Sequence, residues 1–228
     1  MELIYGSTKQ KFIPHTVMSF PNIRKIKLLM ENDSFSKYEA ITEVKGEYIV
    51  CNDITKLKKY SKRLVKETYE EYLEFLSNRD IEKDRWIYNI IDGIAEQDKI
   101  IYRDKSLIVI PTYTWDSINI DKLHILCLPI DKNLRTIRDL TVENVTLLEY
   151  MKMTTLQQIE NEYGLKEESL KMFFHYDPST YHLHIHFINT GYTESWSSVE
   201  YSHDLDTVIF NLKMDSDYYK KIKLNRRV

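Results

Sequence analysis

The sequence predicts an α+β protein built on an antiparallel-leaning sheet. After residue 99, short apolar runs separated by turn signals follow one another instead of alternating with helices as βαβ units would. Two long segments carry apolar residues in steps of three and four. The 228-residue chain is 43% hydrophobic, which supplies one large core or two small ones and excludes a disordered chain.

Residues 1–40 show no clear period, and Pro14 and Pro21 interrupt any long element. A strand is expected over Ile41–Cys51, turning at Gly46. Asn52 or Asp53 then caps a helix with Leu57, Tyr60, Leu64, Tyr69, Tyr72, Leu73 and Leu76 on its apolar stripe, ending near Ser77. Arg79–Asp84 is charged and aperiodic, the composition of a hinge. A short helix is expected over Arg85–Glu96, then strands over Lys99–Tyr102, Leu107–Pro111 and Leu123–Pro129. Thr141 caps a second long helix that stops at Gly164. Strands Leu170–Tyr176 and His182–Asn189 flank the tight turn Asp177–Thr180. Lys213–Val228, with five basic residues between Lys220 and Arg227, reads as a solvated or frayed tail, with contact to phosphate as the second reading. The expected organisation is therefore a small N-terminal domain over 1–80, a hinge over 81–84, a larger domain over 85–212 and a basic tail over 213–228.

Composition excludes several function classes. The five glycines stand far apart, about 2% of the chain against roughly 7% in ordinary proteins. Neither the Walker loop nor GxGxxG can be built from them, so any phosphate is met by side chains. A net charge of −3 gives no global basic field for duplex DNA. Cys51 and Cys127 lie in apolar runs and read as buried thiols, not as a disulfide framework. No stretch reaches the roughly 18 apolar residues of a membrane span, and the N-terminus lacks a leader pattern, so a soluble intracellular protein is expected.

Four of the seven histidines fall between His175 and His186. His182, His184 and His186 alternate with Leu183 and Ile185, so strand periodicity places the three imidazoles on one face, about 6.5–7 Å apart. Such a row is not core material. A zinc site and a solvent-facing strand are two readings of it. The favoured reading is nucleophilic catalysis at phosphorus: an imidazole attacks near neutral pH, and its neighbours donate hydrogen bonds to phosphoryl oxygens.

His182-Leu-His184-Ile-His186-Phe-Ile188 resembles the signature of the histidine triad superfamily. Within it, Trp86–Asp92, Ile137–Thr141, His175–Ser179 and Tyr181–Phe187 resemble the scavenger mRNA decapping enzymes over about residues 32–192. The resemblance implies hydrolysis of the 5′–5′ triphosphate of a cap dinucleotide or short capped RNA to 7-methylguanosine monophosphate and a nucleoside diphosphate. It implies His184 as nucleophile beside His182 and His186, with His175 and Ser179 on phosphate. Trp86 and Glu96 keep the family's spacing for the methylated base. Stacking of cationic 7-methylguanine on indole and bidentate capture of guanine N–H groups by a carboxylate give that pair a physical sense. Asn32 and Phe35 match N-terminal positions that close over the cap in a strand-exchanged homodimer, Lys56 matches a phosphate-facing lysine, and Pro111 matches a cap-pocket position. No cofactor and no metal are implied, and the location implied is cytoplasmic, with the nucleus as a second compartment.

The family pattern is broken at Thr112 and Thr114, which follow Pro111 in place of an acid and a lysine. His124 replaces a tyrosine, Thr180 replaces another, and Tyr201 replaces an arginine. Each lost cation removes about 1–3 kcal/mol of phosphate binding. The rival functions are a histidine-triad hydrolase acting on another dinucleoside polyphosphate, and a cap-binding module without turnover.

Overall fold

The computed structural model describes residues 64–192 and 200–227 in full and, for the first 63 residues, the backbone of five strands. The chain divides into two compact units, Met1–Arg63 and Leu64–Val228. The first holds β1 (Leu3–Tyr5), β2 (Thr8–Gln10), β3 (Lys25–Glu31), β4 (Phe35–Ile41) and β5 (Lys45–Cys51). They form one antiparallel sheet in the order β2-β1-β5-β4-β3. The expected strand over Ile41–Cys51 is thus two strands of a hairpin. The chain reverses between Ile41 and Lys45, and Gly46 lies inside β5 opposite Ala40.

The second unit opens with β6 (Leu64–Glu67) and α1 (Tyr69–Ser77). Of the long helix expected from Asn52, the part over 52–63 lies outside the described residues; Leu64 is in a strand instead, and the helix that follows begins at Tyr69. The cap is Thr68, whose hydroxyl accepts from the Glu71 N–H while the Glu71 carboxylate accepts from the Thr68 N–H. From Leu64 on, the apolar steps run through a strand and then a helix, with Leu64 in β6 and Tyr69, Tyr72, Leu73 and Leu76 in α1. Ile81–Asp84, the expected hinge, is a 3-10 turn inside the second unit.

The main sheet contains β7 (Tyr102–Arg103), β8 (Leu107–Pro111), β9 (His124–Pro129), β10 (Leu170–His175), β11 (Ile185–Asn189) and β12 (Ser202–Asp204). Its order is β12-β10-β11-β9-β8-β7, with every pairing antiparallel. One face packs Leu107, Val109, Ile125, Cys127, Phe174, Ile185 and Phe187 against α3 (Val145–Tyr163) and α4 (Leu205–Met214). Gly164 ends α3 in the left-handed region at φ 69°, as expected. The other face packs Ile108, Ile110, Leu126 and Leu128 against Ile87, Ile90 and Ile91 of α2 (Arg85–Ile91). Each buried isoleucine of α2 contributes about 1.5–3 kcal/mol. Cys127 is a buried free thiol. Among the described residues, no helix is long and apolar enough to cross a membrane.

The C-terminal stretch is not a solvated tail. After α4 come α5 (Tyr218–Lys221) and β13 (Leu224–Arg227), which pairs with β6 and buries Tyr219 and Leu224. Fully buried Arg138 fastens it, donating to the carbonyls of Tyr219, Ile222 and Glu67 at 2.7, 3.0 and 2.6 Å and to the Tyr176 hydroxyl at 2.9 Å. The Tyr176 hydroxyl in turn donates to the Glu67 carboxylate. The basic letters disguised a short strand that buries Leu224 and keeps Asn225, Arg226 and Arg227 partly buried.

Candidate active site

The three alternating histidines lie where the chain enters β11. Regular strand begins only at Ile185, later than the expected His182, because the chain bends at Tyr181 and His182. The alternation nevertheless survives. Leu183, Ile185 and Phe187 enter the core under α3 and α4, while His184 and His186 have rings 4.9 Å apart. His175, at the end of β10, brings its ring to 4.2 Å from His186. Phe173 stacks on His186 at 5.2 Å with planes 10° apart.

Hydrogen bonds sort the imidazoles into roles. His184 Nδ1 lies 2.7 Å from the His182 carbonyl; a carbonyl only accepts, so Nδ1 carries the proton and Nε2 keeps its lone pair. His182 Nε2 donates to the Pro129 carbonyl at 2.8 Å, its ring is fully buried, and Tyr88 packs edge-on against it at 5.7 Å. His182 therefore does not donate to phosphate as the motif implies, because its one neutral N–H is already used on the Pro129 carbonyl. His186 Nδ1 and His124 Nε2 share a hydrogen bond of 2.9 Å. In the family pattern His124 is a departure, standing where a tyrosine is expected. The alternation of His124, Leu126 and Leu128 along β9, on the same face as His186, is the signal that places it in the site.

Burial keeps these rings neutral. It pushes His182 down to about 4 and His124 down to about 3 from the ordinary 6.5. His186 is lowered well below that value by burial and by its neighbours His184, His175 and His124. His184 is lowered too, burial outweighing the bond to the His182 carbonyl and the field of Asp84.

The supposed hinge spends its charges on the loop that leads to the site. Arg79 holds Asp84 through two bonds of 3.0 and 2.8 Å, lies 4.2 Å from the Tyr181 ring centroid and donates to the Ser179 carbonyl at 3.3 Å. Asp84 accepts from the Tyr181 N–H at 3.0 Å. Both ends of the Ser179–Tyr181 turn are thereby tied to one buried ion pair. Charge without periodicity marked a clasp, not a flexible joint.

The remaining expected residues are placed as follows. Trp86 is 43% exposed on α2, two residues before the Tyr88 that contacts His182. Glu96 follows α2 in the left-handed region at φ 55°, with Lys99 at 3.3 Å from its carboxylate. Ser179 is exposed and Pro111 ends β8 opposite Ile125. Phe35 opens β4 opposite Cys51, with its backbone alone described; Asn32 and Lys56 lie outside the described residues. Thr112 and Thr114 bond to each other at 3.0 Å, and the Thr112 N–H donates to the His124 carbonyl at 3.0 Å. Thr180 and Tyr201 are buried. Among the described residues, no group of three or more His, Cys, Asp or Glu side chains is placed to hold a metal ion.

The family described as scavenger mRNA decapping enzyme C-term binding matches residues 85–202. The m7GpppX diphosphatase of Ascaris suum is 34% identical over 215 residues, spanning 87% of this chain and 71% of that protein. The Caenorhabditis elegans m7GpppX diphosphatase is 33% identical over 212 residues, spanning 86% and 68%. Among solved structures, an aprataxin orthologue from Schizosaccharomyces pombe is similar at a TM-score of 0.39 and 19% identity, covering 60% of this chain and 74% of its own. By the family match across the histidine site and the identity along most of its length, this chain belongs to the scavenger mRNA decapping enzyme family.

Proposed function

We propose that this protein hydrolyses the 5′–5′ triphosphate of residual mRNA caps, releasing 7-methylguanosine monophosphate and a nucleoside diphosphate. The observation that carries the chemistry is the bond from His184 Nδ1 to the His182 carbonyl, which leaves Nε2 as a neutral nucleophile without a general base. Its lone pair attacks the phosphorus next to 7-methylguanosine. The bridging P–O bond breaks, and its electron pair departs on the nucleoside diphosphate, a stable anion near neutral pH. Water then attacks the phosphohistidine, the N–P bond breaks, and the water oxygen enters the monophosphate as its proton passes to solvent. His175 and His186, gathered within 4.2 Å, stabilise the phosphoryl oxygens. His182 is a positioning residue whose side chain is anchored on Pro129 and whose main chain holds His184. Trp86 and Glu96 hold the methylated base, Ser179 meets phosphate, and the working form is a homodimer.

One observation favours a second reading. The Thr112–Thr114 pair stands where the family has an acid and a lysine, so discrimination of the base is altered. Turnover of methylated against unmethylated cap dinucleotide separates the two: a clear preference for the methylated form supports cap specificity, and equal rates favour a broader dinucleoside polyphosphatase. The nucleophile is tested with His184→Ala. Hydrolysis should fall by about three orders of magnitude or more while 7-methylguanosine nucleotides still bind; unimpaired hydrolysis overturns the assignment.

A further inference from the structure

The C-terminal strand delivers a cation to the border of the histidine cluster. β13 is fixed by its pairing with β6 and by the Arg227 N–H, which donates to Asp177 Oδ1 at 3.1 Å. Asp177 begins the turn that leads to His182. From this anchored backbone the Arg227 guanidinium carbon stands 3.4 Å from the centroid of the Tyr201 ring. The Tyr201 ring lies 5.5 Å from His175, and His175 lies 4.2 Å from His186. One aromatic ring therefore separates the guanidinium from the imidazoles.

Arg227 differs from the other arginines of this region. Arg79 is engaged with Asp84, and Arg226 with Glu67 at 3.2 Å. Arg227 is half-buried and, among the described residues, forms no ion pair. Stacked on a ring, a guanidinium keeps its five N–H donors at its edge, in a fork that suits phosphate oxygens. The site has a need for it, because imidazoles held neutral by burial leave a polyphosphate's negative charge unbalanced.

The sheet order says which phosphates it meets. Trp86 rides on α2, which packs over β8 and β9, whereas His175 and Tyr201 border the opposite side of β11, toward β10 and β12. With the methylated base on the α2 side, the departing nucleotide lies on the β10 side. We propose that Arg227 is a phosphate-binding residue of the active site, donating to the diphosphate of the leaving nucleotide, so that the C-terminal strand is part of the catalytic apparatus. This rests on the cap-hydrolase reading for the orientation of the substrate.

The test compares full-length wild type, Arg227→Ala and Arg227→Lys. Steady-state hydrolysis of methylated cap dinucleotide, inhibition by a nucleoside diphosphate, inhibition by 7-methylguanosine monophosphate and the thermal midpoint are measured. Arg227→Ala should lower kcat/KM by about 10- to 100-fold and weaken nucleoside diphosphate inhibition by a similar factor. The monophosphate should be affected far less and the thermal midpoint unchanged, with partial recovery in Arg227→Lys. Wild-type kinetics in Arg227→Ala, or equal weakening of both inhibitors, overturns the proposal. If wild type itself does not turn over the cap, the cap-hydrolase reading fails. Selective weakening of nucleoside diphosphate binding by Arg227→Ala would then still support the phosphate contact, and its absence would overturn that contact too.

Discussion

His184 donates from Nδ1 to the main-chain carbonyl of His182, its neighbour two residues earlier, across 2.7 Å. That contact selects the tautomer with Nε2 unprotonated, and it depends on the His182 backbone staying where the His182 side chain pins it against Pro129. His182→Ala should therefore lower kcat by about 10- to 100-fold with little change in KM, because orientation is lost while binding surfaces remain. His182→Gln, which keeps a donor, should recover part of it. A KM effect as large as the kcat effect would argue for direct substrate contact.

Burial lowers His184 below the ordinary histidine range. The neutral nucleophile therefore persists below pH 6.5, and the acid limb of kcat/KM should lie under that value. Activity is lost on acidification, when Nε2 takes up a proton. An acid limb centred above pH 6.5 would contradict the burial argument.

The same burial has a cost in stability. The unfolded chain protonates His182 and His124 near pH 6.5, but the folded chain resists until about pH 4 and about pH 3. Between those values the unfolded state binds more protons, so stability is complete above pH 6.5 and falls as pH decreases, by about 1.4 kcal/mol per unit for each group. Urea midpoints at pH 7 and pH 5 check this. The midpoint should drop, and His124→Gln should flatten the dependence; an unchanged slope in that variant contradicts it.

Arg138 joins β6, Tyr176 and the C-terminal segment through four hydrogen bonds from one buried guanidinium. Arg138→Ala takes the guanidinium from three carbonyls and leaves the Glu67 carboxylate with Arg226 and the Tyr176 hydroxyl. Urea denaturation should register a loss of about 3–5 kcal/mol. A loss below about 1 kcal/mol would mean that β13 is held by its strand pairing alone.

Trp86 is an exposed indole on a helix whose isoleucines hold it rigidly to the sheet. Trp86→Ala should raise KM for methylated cap dinucleotide by about 2- to 30-fold and leave kcat nearly unchanged. An equal rise for the unmethylated dinucleotide would show that the cationic base is not what the indole recognises.

Much of this was legible because period reports burial: Leu107–Pro111, the Gly164 stop and the imidazole face of 182–186 are all local patterns. Long-range partners were not legible. Nothing in Arg79–Asp84 announces that its charges close over Ser179 and Tyr181, a hundred residues on. Nor does Leu224–Arg227 announce β6 as its partner, since a four-residue strand ending in two arginines reads as a tail. His124 shows the middle case: its alternation was visible, but its partner on β11 required the sheet register.

The most direct test is the product pattern from methylated cap dinucleotide with purified full-length protein, resolved by chromatography against standards. Wild type should release 7-methylguanosine monophosphate and a nucleoside diphosphate in equal amounts, and His184→Ala neither. Release of 7-methylguanosine diphosphate with a nucleoside monophosphate, or undiminished products from His184→Ala, would contradict attack by His184 on the phosphorus beside the methylated nucleoside.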